Sequence, residues 1–271
     1  MHKSLVLLFL LVLSACNNES KTTLTPASSS DQKLTVPAPI VIPYDAQLEK
    51  HVMGKYDPAK DSRFVVLNPS HTDKEGLYLH QDTYGAFLKM YGAARAAGIK
   101  LQIRSALRNF DYQKGIWERK WTGETKLSTG EDASKAYPKP YDRAKKILEY
   151  SSMPGTSRHH WGTDIDLNNF NNSWFESGEG LILFNWLQAH AHEYGFCRPY
   201  TAKDASRPHG YNEEKWHWSY TPLASKLTAY AEAHLEDKMI TGFMGSEVAE
   251  SLDVVEKYVL GVSRGLSLIH I

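Results

Sequence analysis

A chain of 271 residues, 42% hydrophobic and 23% charged, can bury one substantial core with room for a small appendage. Its 31 Lys and Arg are matched by 31 Asp and Glu, and basic tracts are absent, which argues against a nucleic-acid partner. Two cysteines, Cys16 and Cys197, exclude a disulfide framework, so any zinc ligands must be imidazoles and carboxylates.

His2 and Lys3 precede an apolar run over residues 5–12, followed by Leu13-Ser14-Ala15-Cys16. The run is short for a bilayer span and the small residues after it suit cleavage, so residues 1–15 read as an export signal. Leu13-Ser14-Ala15-Cys16 resembles the lipobox of bacterial lipoproteins. That resemblance implies cleavage before Cys16 and acylation of its thiol, and several acyl chains would hold the protein stably on a membrane. A plain secretory signal with an incidental cysteine is the alternative. Asn17, rather than Asp, after the cysteine implies the outer membrane if the cell is Gram-negative. Residues 16–43 are rich in Ser, Thr, Pro and Asn and read as a flexible tether. About 28 residues at ~3.3 Å each reach roughly 90 Å fully extended, or roughly 30 Å as a coil.

The folded part begins near Tyr44. Asp82 is placed to cap a helix whose positions Tyr84, Phe87, Leu88, Tyr91 and Ala94 form an apolar face, with Gly98 as its stop. Residues 99–105 alternate apolar and polar as a half-buried strand. A second helix starts near Asn109 and carries Gln113, Ile116 and Trp117 to about Trp121. Residues 122–134 form a loop, and a helix through Ala144, Ile147 and Leu148 follows. Pro154-Gly155-Thr156 is turn chemistry. From Thr163 to Leu167 the alternation puts Asp164 and Asp166 on one face and Ile165 and Leu167 on the other. Leu183, Trp186, Leu187, His190 and Tyr194 share a helical stripe that stops at Gly195. Residues 215–220 read as a last strand, with Trp216, Trp218 and Tyr220 on one face and His217 and Ser219 on the other. From Pro222 onward the apolar spacing through Leu223, Leu227, Tyr230 and Ala231, then Val248, Leu252, Val255 and Leu260, is largely helical. Helices and short strands do not alternate as regular βαβ units, which favours an α+β fold.

Two segments concentrate the chemistry: Ser157-Arg158-His159-His160-Trp161-Gly162-Thr163-Asp164-Ile165-Asp166, and Glu214-Lys215-Trp216-His217. A catalytic zinc site needs three protein ligands and an open position, with a carboxylate nearby to move a proton. His159 precedes a glycine turn and Asp166 lies on the strand after it, so the two can face each other. His217 projects from the face opposite Trp216 and Trp218, and Glu214 lies just before its strand. His159, Asp166 and His217 are therefore the candidate ligands of one zinc ion, with Glu214 as proton shuttle. Asp164 shares a face with Asp166 and is either a partner of the ligands or itself the ligand.

The other histidines have simpler readings. His160 is a loop residue or supports a ligand, His190 is a core histidine on an apolar stripe, and His192 faces solvent. His51, His71, His80, His209 and His234 are surface or packing residues. Trp161 and Tyr211 flank the site as packing or substrate contacts. Cys197 has no neighbouring base and is not a nucleophile.

Ser157-x-His159-x-x-Gly162 through Asp166, followed by Glu214-x-Trp216-His217, resembles the zinc D-alanyl-D-alanine carboxypeptidases of the vancomycin-resistance type. These belong to a wider group with lysostaphin-like endopeptidases and hedgehog signalling domains. Ser105-Ala106-Leu107-Arg108 with Gln113 is similar to that family's substrate-binding segment, and Trp186-Leu187 through Tyr194-Gly195-Phe196 to its intervening helix. Asp164 departs from the small residue usual at that position. The resemblance implies His159, Asp166 and His217 as metal ligands, Glu214 as general base and then acid, and Arg108 as a catalytic and substrate-binding cation. It also implies Gln113, Ser157 and Tyr200 as further substrate contacts.

The expected architecture is thus α+β, a small antiparallel sheet carrying the zinc site and flanked by helices. Residues 44–222 form the peptidase domain and residues 223–271 a C-terminal helical extension. The expected protein is a monomeric lipoprotein peptidase that removes the terminal D-alanine of peptidoglycan stem peptides. L,D-carboxypeptidase or cross-link endopeptidase activity on the same site is the first alternative, and a non-catalytic wall-binding module the second.

Overall fold

The computed structural model describes residues 41–263. In chain order the elements are α1 (Ala46–Val52), β1 (Phe64–Val66), β2 (Tyr78–His80), α2 (Gln81–Ala96), β3 (Ile103–Ser105), α3 (Phe110–Trp121), α4 (Ala133–Ala136) and α5 (Pro140–Ile147). Then follow β4 (Asp164–Leu167), α6 (Gly178–His190), β5 (Phe196–Cys197), β6 (His217–Tyr220), α7 (Thr221–His234) and α8 (Ala249–Leu252). The fold is α+β, as expected. β1 and β2 form a ribbon, and the second sheet has the order β3-β4-β6-β5 with every pairing antiparallel.

Helix starts follow capping chemistry. Asn109 caps α3, its side chain accepting from Tyr112 N–H. At α2 the expectation of Asp82 as cap fails: His80 is the cap, its Nδ1 accepting from Asp82 N–H at 3.2 Å. β2 runs directly into α2, so the chain turns at His80, and Asp82 falls in the first turn, where its charge still suits the helix dipole.

The strand expected over residues 99–105 shrinks to β3. Asn168, at φ 58°, carries the chain out of β4, and its amide then stands in for a strand partner. Its Nδ2 donates to Lys100 C=O at 2.8 Å and its Oδ1 accepts from Gln102 N–H at 3.1 Å. A side chain that satisfies the backbone in this way replaces the ladder. The His190 expectation is also corrected. Gly180, Leu183 and Leu187 form the buried stripe of α6, continued by Ala191 just past its end, whereas His190 follows Trp186 by one turn and stands at the edge. Its side chain is 44% exposed and pairs with Glu193 at 2.9 Å.

Two apolar clusters hold the sheet. One packs Ile165, Leu167, Trp216 and Trp218 against α2 and α6 through Phe87, Met90, Leu183 and Leu187. Burying each such side chain contributes roughly 1.5–3 kcal/mol. The other gathers Trp117, Trp121, Ile147 and Trp161 with Leu227, Tyr230 and Ala231 of α7 and with Leu252, Val255 and Val259. The residues after Pro222 therefore supply one wall of the same cluster that anchors α3 and α5. Between the clusters, the polar faces of β4 and β6 are left to line a cavity.

Candidate metal centre and its cavity

Strand register assembles the site. Asp166 on β4 lies opposite His217 on β6 and opposite Ser105 on β3. The one-turn helix Arg158–Trp161, capped by Ser157, brings in His159, and Gly162 then turns the chain into β4. Gly162 has φ 70°, and a Cβ there would sit 2.7 Å from Phe64 Cε1 and 2.9 Å from His80 N. Only glycine suits both the conformation and the gap. The segment after β3 is fastened to the same turn: Arg108 N–H donates to His159 C=O at 3.2 Å.

His159 Nε2, an Asp166 carboxylate oxygen and a His217 ring nitrogen form a group in which all three atoms lie within 4.8 Å of one another. Partners on the far side fix each ring. His159 Nδ1 is 2.7 Å from Ala106 C=O, so it carries the hydrogen and leaves the Nε2 lone pair facing Asp166 Oδ2 at 3.3 Å. His217 Nε2 is 2.8 Å from Asp164 Oδ2, so its Nδ1 lone pair faces Asp166 Oδ1 and Glu214 Oε2, each at 3.2 Å. Asp166 Oδ1 is buried and receives no well-aimed hydrogen bond. With His217 neutral, lone pairs and carboxylate oxygens converge with no donor between them and call for a cation, and two imidazoles with one carboxylate are a donor set that suits zinc.

The titration behaviour agrees. Burial alone would raise Asp166 and lower His217, yet each is moved the other way by its partners. His159 and His217 hold Asp166 well below the usual carboxylate range. The bonds to Asp164, Asp166 and Glu214 hold His217 well above the usual histidine range. A proton on His217 is thus the substitute for a metal, and metal binding would displace it. His159 is lowered, first by burial and then by Arg108. Glu214 is raised by burial, against the pull of His217.

A cavity of about 680 Å³ opens on this group. Arg108, Gln113, Ser157, Tyr200 and Glu214 all line it, so every residue expected at the site other than Cys16 is brought together. Cys16 lies outside the described residues. Arg108 NH1 donates to Ser105 Oγ at 2.9 Å and stands 3.7 Å from Asp166 Oδ2. Gln113 Nε2 donates to Ser152 C=O at 2.8 Å, while its Oε1 is buried without a partner. Ser157 Oγ accepts from His159 N–H at 3.3 Å. Tyr200 packs its ring against His217, centroids 4.7 Å apart, and so supports a candidate ligand as well as bordering the cavity.

Asp164 is engaged elsewhere. Its Oδ1 accepts from Thr163 Oγ1 at 2.6 Å and Ser219 Oγ at 2.7 Å; its Oδ2 accepts from Arg158 Nε at 3.1 Å and from His217 Nε2. Arg158 is fully buried, bonds Thr228 Oγ1 and Ser219 Oγ, and lies over the Trp161 ring. The sequence offered one hint of this cluster, the shared face of Asp164 and Asp166; Arg158 itself was hidden by the histidines beside it. His160 is a fastening, its Nδ1 donating to Arg108 C=O at 2.6 Å and its Nε2 accepting from Gly155 N–H. Trp161 is core and does not line the cavity, whereas Tyr211 does. Burial pushes the Cys197 thiol up to about 12, in line with an unreactive thiol.

Residues 76–223 match the family model VanY, D-alanyl-D-alanine carboxypeptidase. A D-alanyl-D-alanine carboxypeptidase of Enterococcus faecalis is 26% identical over 141 residues, 52% of this chain and 47% of that protein. The putative carboxypeptidase YodJ of Bacillus subtilis is 27% identical over 193 residues, 68% of this chain and 62% of that protein. The chain thus spans between about half and three fifths of the length of these curated relatives. Among solved structures, a variant of the vancomycin-resistance D,D-pentapeptidase VanY in complex with Zn(II) is 25% identical, with a TM-score of 0.45 over 63% of this chain and 86% of that one.

Proposed function

The chain belongs to the VanY family of D-alanyl-D-alanine carboxypeptidases, and from that premise we propose that it is a zinc-dependent carboxypeptidase hydrolysing the terminal peptide bond of peptidoglycan stem peptides. The observation that carries the reading is the convergence of His159 Nε2, Asp166 and His217 Nδ1 beside Glu214 at the wall of an open cavity. One zinc ion held by those three side chains would supply Lewis-acid chemistry at the scissile carbonyl.

The chain's own residues account for the rest. Glu214 takes a proton from the attacking water as the water oxygen bonds to the carbonyl carbon. It then returns that proton to the amine as the C–N bond breaks. Its burial, which raises its affinity for a proton, suits a group that must hold one between the two steps. Arg108 faces the negative charge that develops on the carbonyl oxygen, and its tie to Ser105 holds the guanidinium in place before substrate arrives. Gln113 Oε1 and the Ser157 hydroxyl offer hydrogen-bonding groups to the peptide backbone.

Replacing Glu214 with Ala should leave one zinc per chain by metal analysis and reduce turnover of a D-alanyl-D-alanine pentapeptide by roughly 10²–10⁴-fold. Unchanged turnover would remove Glu214 from the mechanism. Release of D-alanine from the pentapeptide but not from the tetrapeptide supports D,D specificity, and the reverse supports L,D. We further propose, from residues 1–43, that the enzyme is exported and held at a membrane through acylated Cys16. Cys16→Ser should then lose incorporation of a labelled fatty acid, and labelling that persists would reject the anchor.

A further inference from the structure

Lys120 is a cation that the mechanism above does not use. α3 presents Gln113, Ile116 and Lys120 to the cavity at i, i+3 and i+7, so they share one helix face. Seven residues of helix separate the Cα positions of Gln113 and Lys120 by about 10 Å, yet their side chains converge on the adjacent residues Ser152 and Ser151. The ammonium group donates to Ser151 Oγ. Among the described residues no carboxylate pairs with it, although 19 other ion pairs are formed. Glu149, which also lines the cavity, is already held by Lys146 at 3.0 Å.

The surroundings are poor ones for an isolated positive charge. Burial, then the charge of Arg108, lower its pKa, while Glu214 acts the other way. Lys120 is half-buried at the cavity wall; charges so placed are commonly paired, and an anion entering the cavity would supply the partner. A neutral neighbour calls for the complementary group: Gln113 Oε1, on the same helix face, is buried and unpartnered and would accept from a peptide N–H of the same ligand. Gln113 Nε2 bonds Ser152 C=O and Lys120 bonds Ser151 Oγ, so α3 and the 151–152 segment form a fixed wall rather than two loose side chains.

We propose that Lys120 and Ser151 form a carboxylate-binding subsite of the peptidase, separate from the metal ligands, that fixes a negatively charged group of the substrate. The proposal rests on the peptidase reading and names how its substrate is recognised. A stem peptide offers two sources of the same chemistry, its C-terminal carboxylate and the carboxylate of an internal acidic residue. Lys120 favours peptides that present one of them to the wall it forms with Ser151.

Binding rather than turnover separates this inference from the peptidase reading. The protein carrying Glu214→Ala is titrated calorimetrically with a D-alanyl-D-alanine pentapeptide as the free acid, as its C-terminal amide, and with its internal carboxylate amidated. Adding Lys120→Met should weaken the free acid by about tenfold or more, and Lys120→Arg should restore part of that. The amidated peptide for which Lys120→Met makes no further difference identifies the carboxylate that Lys120 holds. Zinc content and unfolding midpoint are measured for each protein. Ser151→Ala gives a second, smaller loss with the same peptide selectivity. If Lys120→Met weakens all three peptides equally, or none, the subsite is rejected while the peptidase reading stands. If the protein that retains Lys120 binds none of the three, both are rejected.

Discussion

Asp164 and Asp166 stand two residues apart on the same face of β4, both buried, and their surroundings divide them. Asp164 receives four donors, one of them the guanidinium of Arg158, so each of its oxygens accepts two. Asp166 faces the Nε2 lone pair of His159, the Nδ1 lone pair of His217 and a guanidinium at 3.7 Å, and one of its oxygens has no aligned donor. A satisfied buried carboxylate strengthens a fold; one left open is a binding site awaiting its cation. The two are linked through His217, which donates Nε2–H to the first aspartate and thereby turns Nδ1 toward the second.

The contrast is most easily broken at Asp166. In Asp166→Ala the zinc content should fall to near zero and hydrolysis should drop on the order of 10³-fold or more, since several kcal/mol of transition-state stabilisation depends on the metal. Unfolding of the metal-free protein should change less than in Asp164→Ala, because Asp166 is paired with His159 and His217 but takes no well-aimed hydrogen bond at Oδ1. A chelator applied to the unsubstituted protein should reproduce the loss of activity and lower the unfolding midpoint.

Asp164→Ala should show the opposite emphasis. Arg158 would be left buried and unpaired, a change that costs about 3–5 kcal/mol in chemical unfolding. Zinc affinity should fall by roughly 10–100-fold, because His217 loses the group that orients it. If instead Asp164→Ala emptied the metal site with an unchanged unfolding midpoint, while Asp166→Ala unfolded the protein, the assigned roles would be reversed.

The open half of this comparison was readable in the sequence, and the closed half mostly was not. His159, Asp166, Glu214 and His217 sit in two short segments where strand alternation alone gives facing directions, and strand register then places Asp166 opposite His217. Arg158 pairs with Asp164 six residues on, but the hydroxyls that complete its bonding come from Thr228 on α7 and Ser219 on β6, 70 and 61 residues away, so the sequence around it does not show that it is buried. Lys120 escaped notice for the same reason: its cavity exists only once α3 meets Ser151. The shortened strand before β3 depends on Asn168, more than sixty residues on. His190 was misread because a half-buried aromatic, Trp186, widened the apparent apolar stripe of α6 beyond the face that is buried. Local periodicity reports what a segment can do. A side chain arriving from elsewhere decides what it does.

His51 extends the contrast to a histidine outside the ligand set and gives the smallest of the expected effects. It belongs to the satisfied class: its Nε2–H donates to Trp161 C=O at 3.0 Å and its Nδ1 accepts from Arg63 NH1 at 3.2 Å. The bond from Arg63 requires the neutral ring, because a protonated Nδ1 has no lone pair to accept it. Burial, and next the charge of Arg63, lower its pKa from 6.5 to about 4. The unfolded chain takes up a proton near 6.5, whereas the folded one resists until about 4, so the unfolded state binds more protons between those values. Stability from this residue is therefore complete above 6.5, falls as the pH drops through that window, and is fully lost below about 4. The expected contribution is on the order of 1–3 kcal/mol. His160, lowered to about 3, acts with the same sign. Urea unfolding of chelated protein between about pH 7 and pH 5 measures the slope without interference from metal binding. His51→Gln can keep a donor for Trp161 and an acceptor for Arg63 without titrating, and should flatten that slope relative to the unsubstituted protein. An equal slope in both would mean that His51 is not held neutral by its partners.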